Sequence, residues 1–426
     1  MCTTFLAYNI ARALVANGDG KKTTFIDYPN LIRHNPNIPW KTRGNASLVL
    51  RVKSEFSAEE LFAFCAKFLR KYSTSERANS GLVLFEGAKV PQDVIEFSRR
   101  SLCSVLSVKE AESIIKAHGM RMLGLRSRQG LVGALAGIGN TLESDYTFEL
   151  IAYRRSLSIP RRIDSDRILE MDEKSPLTFS NVDRKHGRVM IMPHGPDPVL
   201  CGIRGETASC VREAFQSLLP IKNLRGWMIL RSNQGTGEHL SKEINLASPK
   251  AYSSGWVKAT VASIPKIERG GHVFFNVQNG NGGIVCACYE PTREFRNVAL
   301  ALLPGDELKL GGGVRKSTRK HEKVLNVETL MLLGASNKFL LENPGCKSCG
   351  RRMSSLGRGQ GYVCRCGARS PNAKKRRVAI KRYLKVRELY LPPVCAHRHL
   401  TKPSQRYLIQ RKGKFRTSEM LRVWLS

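Results

Sequence analysis

Two cysteine pairs, set in a segment with almost nothing apolar to bury, constrain the end of this chain more than any other feature. Cys346-Lys-Ser-Cys349-Gly and Cys364-Arg-Cys366-Gly are separated by 14 residues. Thiolates are soft, strong ligands for Zn²⁺, and two paired-cysteine turns close a tetrahedron. Gly350 and Gly367, one after each pair, permit the tight turn such a knuckle needs. Four sulfurs leave no open coordination position, so a zinc ion here is structural. The second pair is one residue shorter than the usual CxxC, which alters its turn. The remaining cysteines of the 12 are scattered, as in a reducing cytosol.

The same segment carries the charge. The chain of 426 residues holds 70 Lys and Arg against 35 Asp and Glu, a net charge of +35. Residues 336–426 contribute 23 of those basic residues and only 3 acidic ones. A field this positive calls for a polyanion, because bound phosphates release condensed counterions. Its placement points to an appended nucleic-acid-binding region. The apolar content of 42% supports several real cores. The longest apolar runs are far too short to cross a bilayer, and no signal peptide opens the chain, so a cytoplasmic protein without a membrane partner is expected.

Along the chain, Phe5, Leu6, Ile10, Ala13 and Leu14 share one helical face, and Gly18-Asp19-Gly20 ends that helix. The proline-rich stretch Tyr28–Asn45 cannot be helical. Ser47–Lys53 reads as a strand, and Ser57 with Glu60 forms a capping box for a helix to about Tyr72. Gly81–Phe85 reads as a strand, Pro91–Leu102 as a helix, and Ser107 with Glu110 caps another. This alternation over 49–120 predicts a small α+β unit inserted into a larger domain. Gly130–Gly139 is a glycine-spaced apolar helix, suited to close packing or to holding phosphate at its start. Asp145–Arg154 alternates as a strand. Three polar clusters, 178–183, 193–206 and 231–240, look like loops converging on a pocket. Residues 251–335 give strands at 256–263, 272–277 and 283–289, a helix at 291–303 and a strand at 307–310, the spacing of an OB-fold barrel.

Several long strings, in this order, resemble one family. They are MCTTFLA (1–7), NPNIPWKTRGN (35–45), GLVGALAGIG (130–139), ELIAYR (149–154), TFSNVD (178–183) and MPHGPDPVLCGIRGE (192–206). SNQGTGEHL (232–240), YEPTREFR (289–296) and AHRHLTKP (396–403) complete the set. The family is that of the archaeal isoleucine-tRNA 2-agmatinylcytidine synthetases. The resemblance implies an α+β multidomain chain, with a kinase-like catalytic domain (1–48 and 121–250) split by a ferredoxin-like unit (49–120). An OB-fold (251–335) follows, then a zinc ribbon with a basic tRNA-binding region (336–426).

The resemblance also implies a reaction. ATP is consumed to AMP and phosphate, O2 of the wobble cytidine in an isoleucine tRNA with a CAU anticodon is phosphorylated, and the amine of agmatine displaces that phosphate. An oxo oxygen leaves poorly and a phosphorylated one leaves well. Phosphoryl transfer rests on positioning and cationic stabilisation, and Lys41, Arg43, Arg154 and Arg204 are the candidates for it. Agmatine is a dication, for which Asp145, Asp197 and Glu206 are candidate partners. Thr3 corresponds to the family's autophosphorylated threonine, where an ordinary helix-capping role is the alternative. Gly130 and Gly133 are candidates for ATP binding. Arg398, His399 and Lys402 are candidates for tRNA binding, with basic residues 374–382 on the backbone. Cys346, Cys349, Cys364 and Cys366 are the zinc ligands, and no protein partner is implied.

Two departures stand out. Family members have a strand and an Asp-rich loop for Mg²⁺ and nucleotide ahead of the Cys-Thr-Thr segment, whereas here Met1 directly precedes Cys2. A misassigned start, with Mg²⁺ ligands encoded upstream, is the expectation. His397 stands where the family usually has Arg, which weakens a phosphate contact at neutral pH. Two rival readings remain open: a non-catalytic RNA-binding protein built on the barrel and ribbon, and a single-stranded DNA-binding factor.

Overall fold

The computed structural model describes residues 2–16, 20–41, 44–73, 79–317, 322–336, 339–379 and 382–426. Arg43 and most of the expected Gly18-Asp19-Gly20 stop therefore lie outside the described residues. Helix α1 (Thr3–Val15) buries Leu6, Ile10 and Leu14 along one face. The chain then forms β1 (Asn30–Arg33), within the proline-rich stretch, and β2 (Ala46–Val49), just after it, an antiparallel pair.

The next unit begins with α2 (Ala58–Tyr72). Its start is fixed by the capping box: Glu60 N–H donates to Ser57 Oγ, and Ser57 N–H donates to the Glu60 carboxylate. Then come β3 (Gly81–Leu84), α3 (Gln92–Ser101), α4 (Val108–Ala117), β4 (Arg121–Gly124) and α5 (Gly130–Gly139). Strands β3 and β4 pair antiparallel. Val94, Phe97, Ala111 and Ile115 pack on Leu131, Leu135 and Ala136 of α5, so this apolar core runs on past residue 120. The glycines of α5 serve that packing. A Cβ on Gly130 would lie 2.3 Å from Gly81 N, and one on Gly139 would lie 2.2 Å from Val94 O.

The larger sheet is completed by β5 (Thr147–Arg154), β6 (Thr178–Phe179), β7 (Val199–Gly205) and β8 (Leu224–Ser232), with a helix at Ser165–Lys174 and another at Ala208–Ser217. The strand order is β2-β1-β8-β5-β7-β6, antiparallel except between β1 and β8. Strand β5 is buried at every position, as a strand with a neighbour on each side and packing on both faces must be.

A closed five-stranded barrel follows: β9 (Ser254–Val261), β10 (His272–Asn279), β11 (Gly282–Cys288), β12 (Glu307–Arg315) and β13 (Val324–Gly334). Its ring runs β9-β12-β13-β11-β10 and closes through Thr260 and Val261 on Gln278 and Val277. Val273, Phe275 and Val277 alternate inward, as a half-buried strand requires. The helix expected at 291–303 is shorter, Phe295–Leu300, because Glu290–Thr292 forms a 3₁₀ turn and Arg293 adopts φ +48°.

Three two-residue strands, 354–355, 362–363 and 369–370, make the four-cysteine module. From Val394 onward the chain returns to the large sheet. Trp424 O accepts from Ile229 N (2.9 Å), Ser426 O from Tyr8 Oη (2.8 Å), and Leu421 N–H donates to Tyr28 Oη (2.8 Å). Trp424 joins the main core beside Phe25 and Tyr28. The end of the basic region is thus a strap on the sheet unit and not a free tail, because its apolar residues have a core to enter. Among the described residues, no helix is long and apolar enough to cross a membrane.

Candidate catalytic cleft and metal centre

A cleft of about 2280 Å³ opens between α1, β1, β2 and α5 on one side and β5, β7 and the strap on the other. The first turn of α1, at Cys2 and Thr3, lies at its edge, and no side chain caps that helix. Its N–H groups and the helix dipole therefore favour negative charge there.

The polar wall is built around one carboxylate. Glu149 is the one carboxylate of β5. Its Oε1 accepts from Arg204 Nε (3.2 Å), and its other oxygen accepts from the Gln234 amide. Gln234 Oε1 in turn accepts from Arg33 Nε at 3.1 Å. Burial lowers the Arg33 guanidinium to about 10, with Glu149 opposing and Arg204 adding to the shift. Lys41 is lowered by burial and then by Arg398 and Arg315, and its ammonium donates to Pro36 O. His399, enclosed in the cleft wall, is held well below the usual imidazole range by Arg33 first, then by burial. Its Nδ1 has no hydrogen-bond partner. Cations thus outnumber carboxylates along this wall, as a site for phosphate requires.

The structure brings Thr3, Lys41, Arg204, Gly130, Gly133, Asp197, Arg398 and His399 to the cleft. Arg398 and His399, the candidates for tRNA binding, share the wall with Lys41. Arg398 also pairs with Glu328 of the barrel at 3.3 Å, and His239 Nε2 lies 2.9 Å from the same carboxylate. Arg154 points its guanidinium at backbone, donating to Asp197 O (2.9 Å) and to Leu157 O and Ile159 O (both 3.3 Å). Asp197 lines the cleft while pairing with Arg161 at 3.0 Å.

Asp145 and Glu206 lie elsewhere. Both grip the fully buried Arg406 of the strap, at 3.1 Å and 2.5 Å, and Lys402 lies 3.4 Å from Asp145. Arg406 Nη1 also donates to Gly235 O at 2.6 Å. Sequence reasoning missed Arg33, Glu149, Gln234 and Arg406. Glu149 carried a signal, a lone carboxylate inside a mostly apolar strand. Arg406 carried none, being one arginine among many in a basic segment.

Comparison with known proteins decides the family. Models described as the TiaS TCKD domain, the TiaS FLD domain and the TiaS C-terminal zinc ribbon domain match residues 1–127, 128–239 and 343–384. The isoleucine-tRNA 2-agmatinylcytidine synthetase TiaS of Cenarchaeum symbiosum is 40% identical over 95% of this chain and 89% of its own length. The chain belongs to the TiaS family.

Other TiaS proteins agree. That of Pyrococcus horikoshii is 38% identical over 95% of this chain and 93% of its own. The crystal structure of apo TiaS superposes with a TM-score of 0.82 at 32% identity, covering 98% of this chain and 96% of that one. A crystal structure of TiaS in complex with its isoleucine tRNA, AMPCPP and agmatine gives 0.81 at 30% identity, with the same coverage.

The zinc ribbon matched by the TiaS model contains all four expected cysteines. Their sulfurs approach to 3.6 Å (Cys346–Cys366), 3.4 Å (Cys349–Cys364) and 3.5 Å (Cys349–Cys366), a spacing one Zn²⁺ can bridge. Gly350 (φ +71°) and Gly367 (φ +90°) make the turns that point the thiols inward. Backbone N–H groups of Cys349 and then Ser348 pull Cys346 down to about 6, favouring the thiolate. Only Met353 and Tyr362 join Cys346 and Cys364 in the ribbon's own buried cluster, so metal replaces a core.

Proposed function

We propose that this protein is an ATP-dependent ligase that converts the wobble cytidine of an isoleucine tRNA with a CAU anticodon to 2-agmatinylcytidine. What carries the reading is the cationic wall of Arg33, Lys41, Arg204 and Arg398, with His399 kept neutral among them, beside an uncapped helix start, on a chain belonging to this family. ATP is converted to AMP and two phosphates, one released by way of the cytidine O2 and the other by hydrolysis from Thr3. The cytidine O2 takes a phosphoryl group and then leaves as phosphate when the agmatine amine forms the new carbon–nitrogen bond. Arg204, held in place by Glu149, and Lys41 stabilise charge on the phosphoryl group in flight. Arg43, outside the described residues, is the fourth cation of that proposed set with Arg154. Thr3 receives a phosphoryl group at the α1 start, where the helix dipole offsets its charge.

Asp197, the carboxylate of the agmatine side of the cleft, is already bound to Arg161, so it acts on the amine's cationic end through that shared pair. Asp145 and Glu206 act one step back, by anchoring the strap that carries Arg398 and His399. Lys402 belongs to that anchor as well. Arg154 shapes the wall through backbone carbonyls. Gly130 and Gly133 let the α5 start approach the nucleotide. The catalytic region is kinase-like, the inserted unit at 49–120 ferredoxin-like and the barrel an OB-fold; barrel and ribbon hold the tRNA. The buried carboxylates lining the cleft, Asp27, Glu149 and Asp197, are each bound to an arginine. That does not fit a Mg²⁺ site among the described residues, so no step is routed through the ion.

Incubation with ATP, agmatine and the cognate tRNA tests the reading. AMP release with an agmatine-dependent gain in nucleoside mass supports it. Tight tRNA binding with neither change favours the non-catalytic alternative.

A further inference from the structure

A second cluster of ligand-type side chains lies outside the cleft, where sheet unit, barrel and strap meet. Asp183, His186 and Cys395 bring a carboxylate oxygen, an imidazole nitrogen and a sulfur within 4.8 Å of one another. Asp183 caps the 3₁₀ turn Arg184–His186, accepting from His186 N–H at 3.2 Å, and its Oδ1 lies 2.9 Å from His186 Nδ1. Cys395 arrives from the strap, and its N–H donates to Asp183 Oδ2 at 3.0 Å, which fixes the thiol beside the same carboxylate. The Asp183 and His186 side chains are 4% and 10% exposed, shielded as a structural metal site is.

Two features go beyond an ordinary capped turn. Carboxylate, imidazole and thiol together are a ligand set that borderline-soft ions such as Zn²⁺ take up. The far ring nitrogen of His186, Nε2, also lies 3.1 Å from Glu294 Oε1 on the barrel. Metal-bound histidines characteristically donate their other N–H to a carboxylate, which fixes ring and tautomer. A capped turn needs neither the thiol nor this second carboxylate.

We propose that Asp183, His186 and Cys395 form a second metal site, a Zn²⁺-type structural centre that pins strap and barrel to the sheet unit. The ion replaces the thiol proton, which goes to solvent, and the imidazole keeps its proton on Nε2, facing Glu294. The Asp183 carboxylate and the Cys395 thiolate together balance the 2+ charge. A water molecule completes four-coordination. In this cluster and in the ribbon alike, the ligand atoms lie within 4.8 Å of one another.

Elemental analysis of the full-length protein, loaded with Zn²⁺ and passed into metal-free buffer, tests this. The expected result is two zinc ions per chain, falling to one in Cys395→Ala and in His186→Gln. Cys286→Ala, which removes a buried barrel thiol, should keep two. In Co²⁺-loaded protein, the spectrum lost on Cys395→Ala should be that of a single-sulfur site. One zinc in the parent protein overturns the proposal whatever the variants do. Two zinc ions retained in Cys395→Ala overturn it as well.

Discussion

Glu149 and Arg406 show how differently a buried charge can act. Glu149 holds Arg204 toward the cleft, so Arg204→Ala should lower the rate of AMP release by about 10²–10³-fold, as loss of one preorganised donor does. A loss confined to the KM for agmatine would instead place Arg204 in the amine pocket. Arg406 lies between two carboxylates with no exposure. Arg406→Gln leaves Asp145 with Lys402 alone and Glu206 with the more distant Arg411, and chemical denaturation should show a loss of about 3–5 kcal/mol. His34 supplies a pH dependence. It is fully buried, bonded to Ser101 Oγ (3.0 Å) and Ser47 Oγ (2.8 Å), and burial first, then Arg33, lowers it to about 4. The unfolded chain takes up that proton near pH 6.5, while the folded chain resists until about pH 4. Stability from this group is full above pH 6.5 and is lost as pH falls toward 4, by up to about 3 kcal/mol at 1.36 kcal/mol per unit. Denaturation at pH 7 and pH 5 should show the decline in the parent protein and a smaller one in His34→Gln.

At the scale of elements, the ribbon and the strap share a basic composition and differ in what holds them. Chelation, or Cys349→Ser, should unfold the ribbon, because four thiolates stand where a core would be. Amide hydrogen exchange should then rise across residues 346–370 and stay unchanged in β5 and β8. The ribbon was legible because metal spacing is local. The barrel was legible because its strands alternate and follow one another closely. The start of α2 was legible in the Ser57–Glu60 box. The strap was not: the partners of Arg406 lie 200 and 261 residues away, and nothing within 394–426 announces them. For the same reason nothing near Arg398 and His399 in the chain shows that the fold carries these tRNA-binding candidates into the cleft.

At the scale of the molecule, the charge is divided between two tasks. Arg33 and Arg204 are half-buried in the wall, whereas Arg365, Lys374 and Lys375 stand exposed on and just after the ribbon. Only cations of the second kind can exchange condensed counterions with an RNA backbone, and each phosphate neutralised adds about 0.7–0.9 to the slope of log K against log salt. Replacing Arg365, Lys374 and Lys375 together by alanine should flatten that slope by about 2 to 3 in a tRNA-binding titration. Because none of the three lines the cleft, AMP release at saturating tRNA should stay near the parent rate. An unchanged slope would mean that the ribbon's charge faces solvent in the complex and that the grip on the polyanion comes from the barrel. An unchanged slope with a slowed reaction would place these residues in positioning the anticodon instead of holding it.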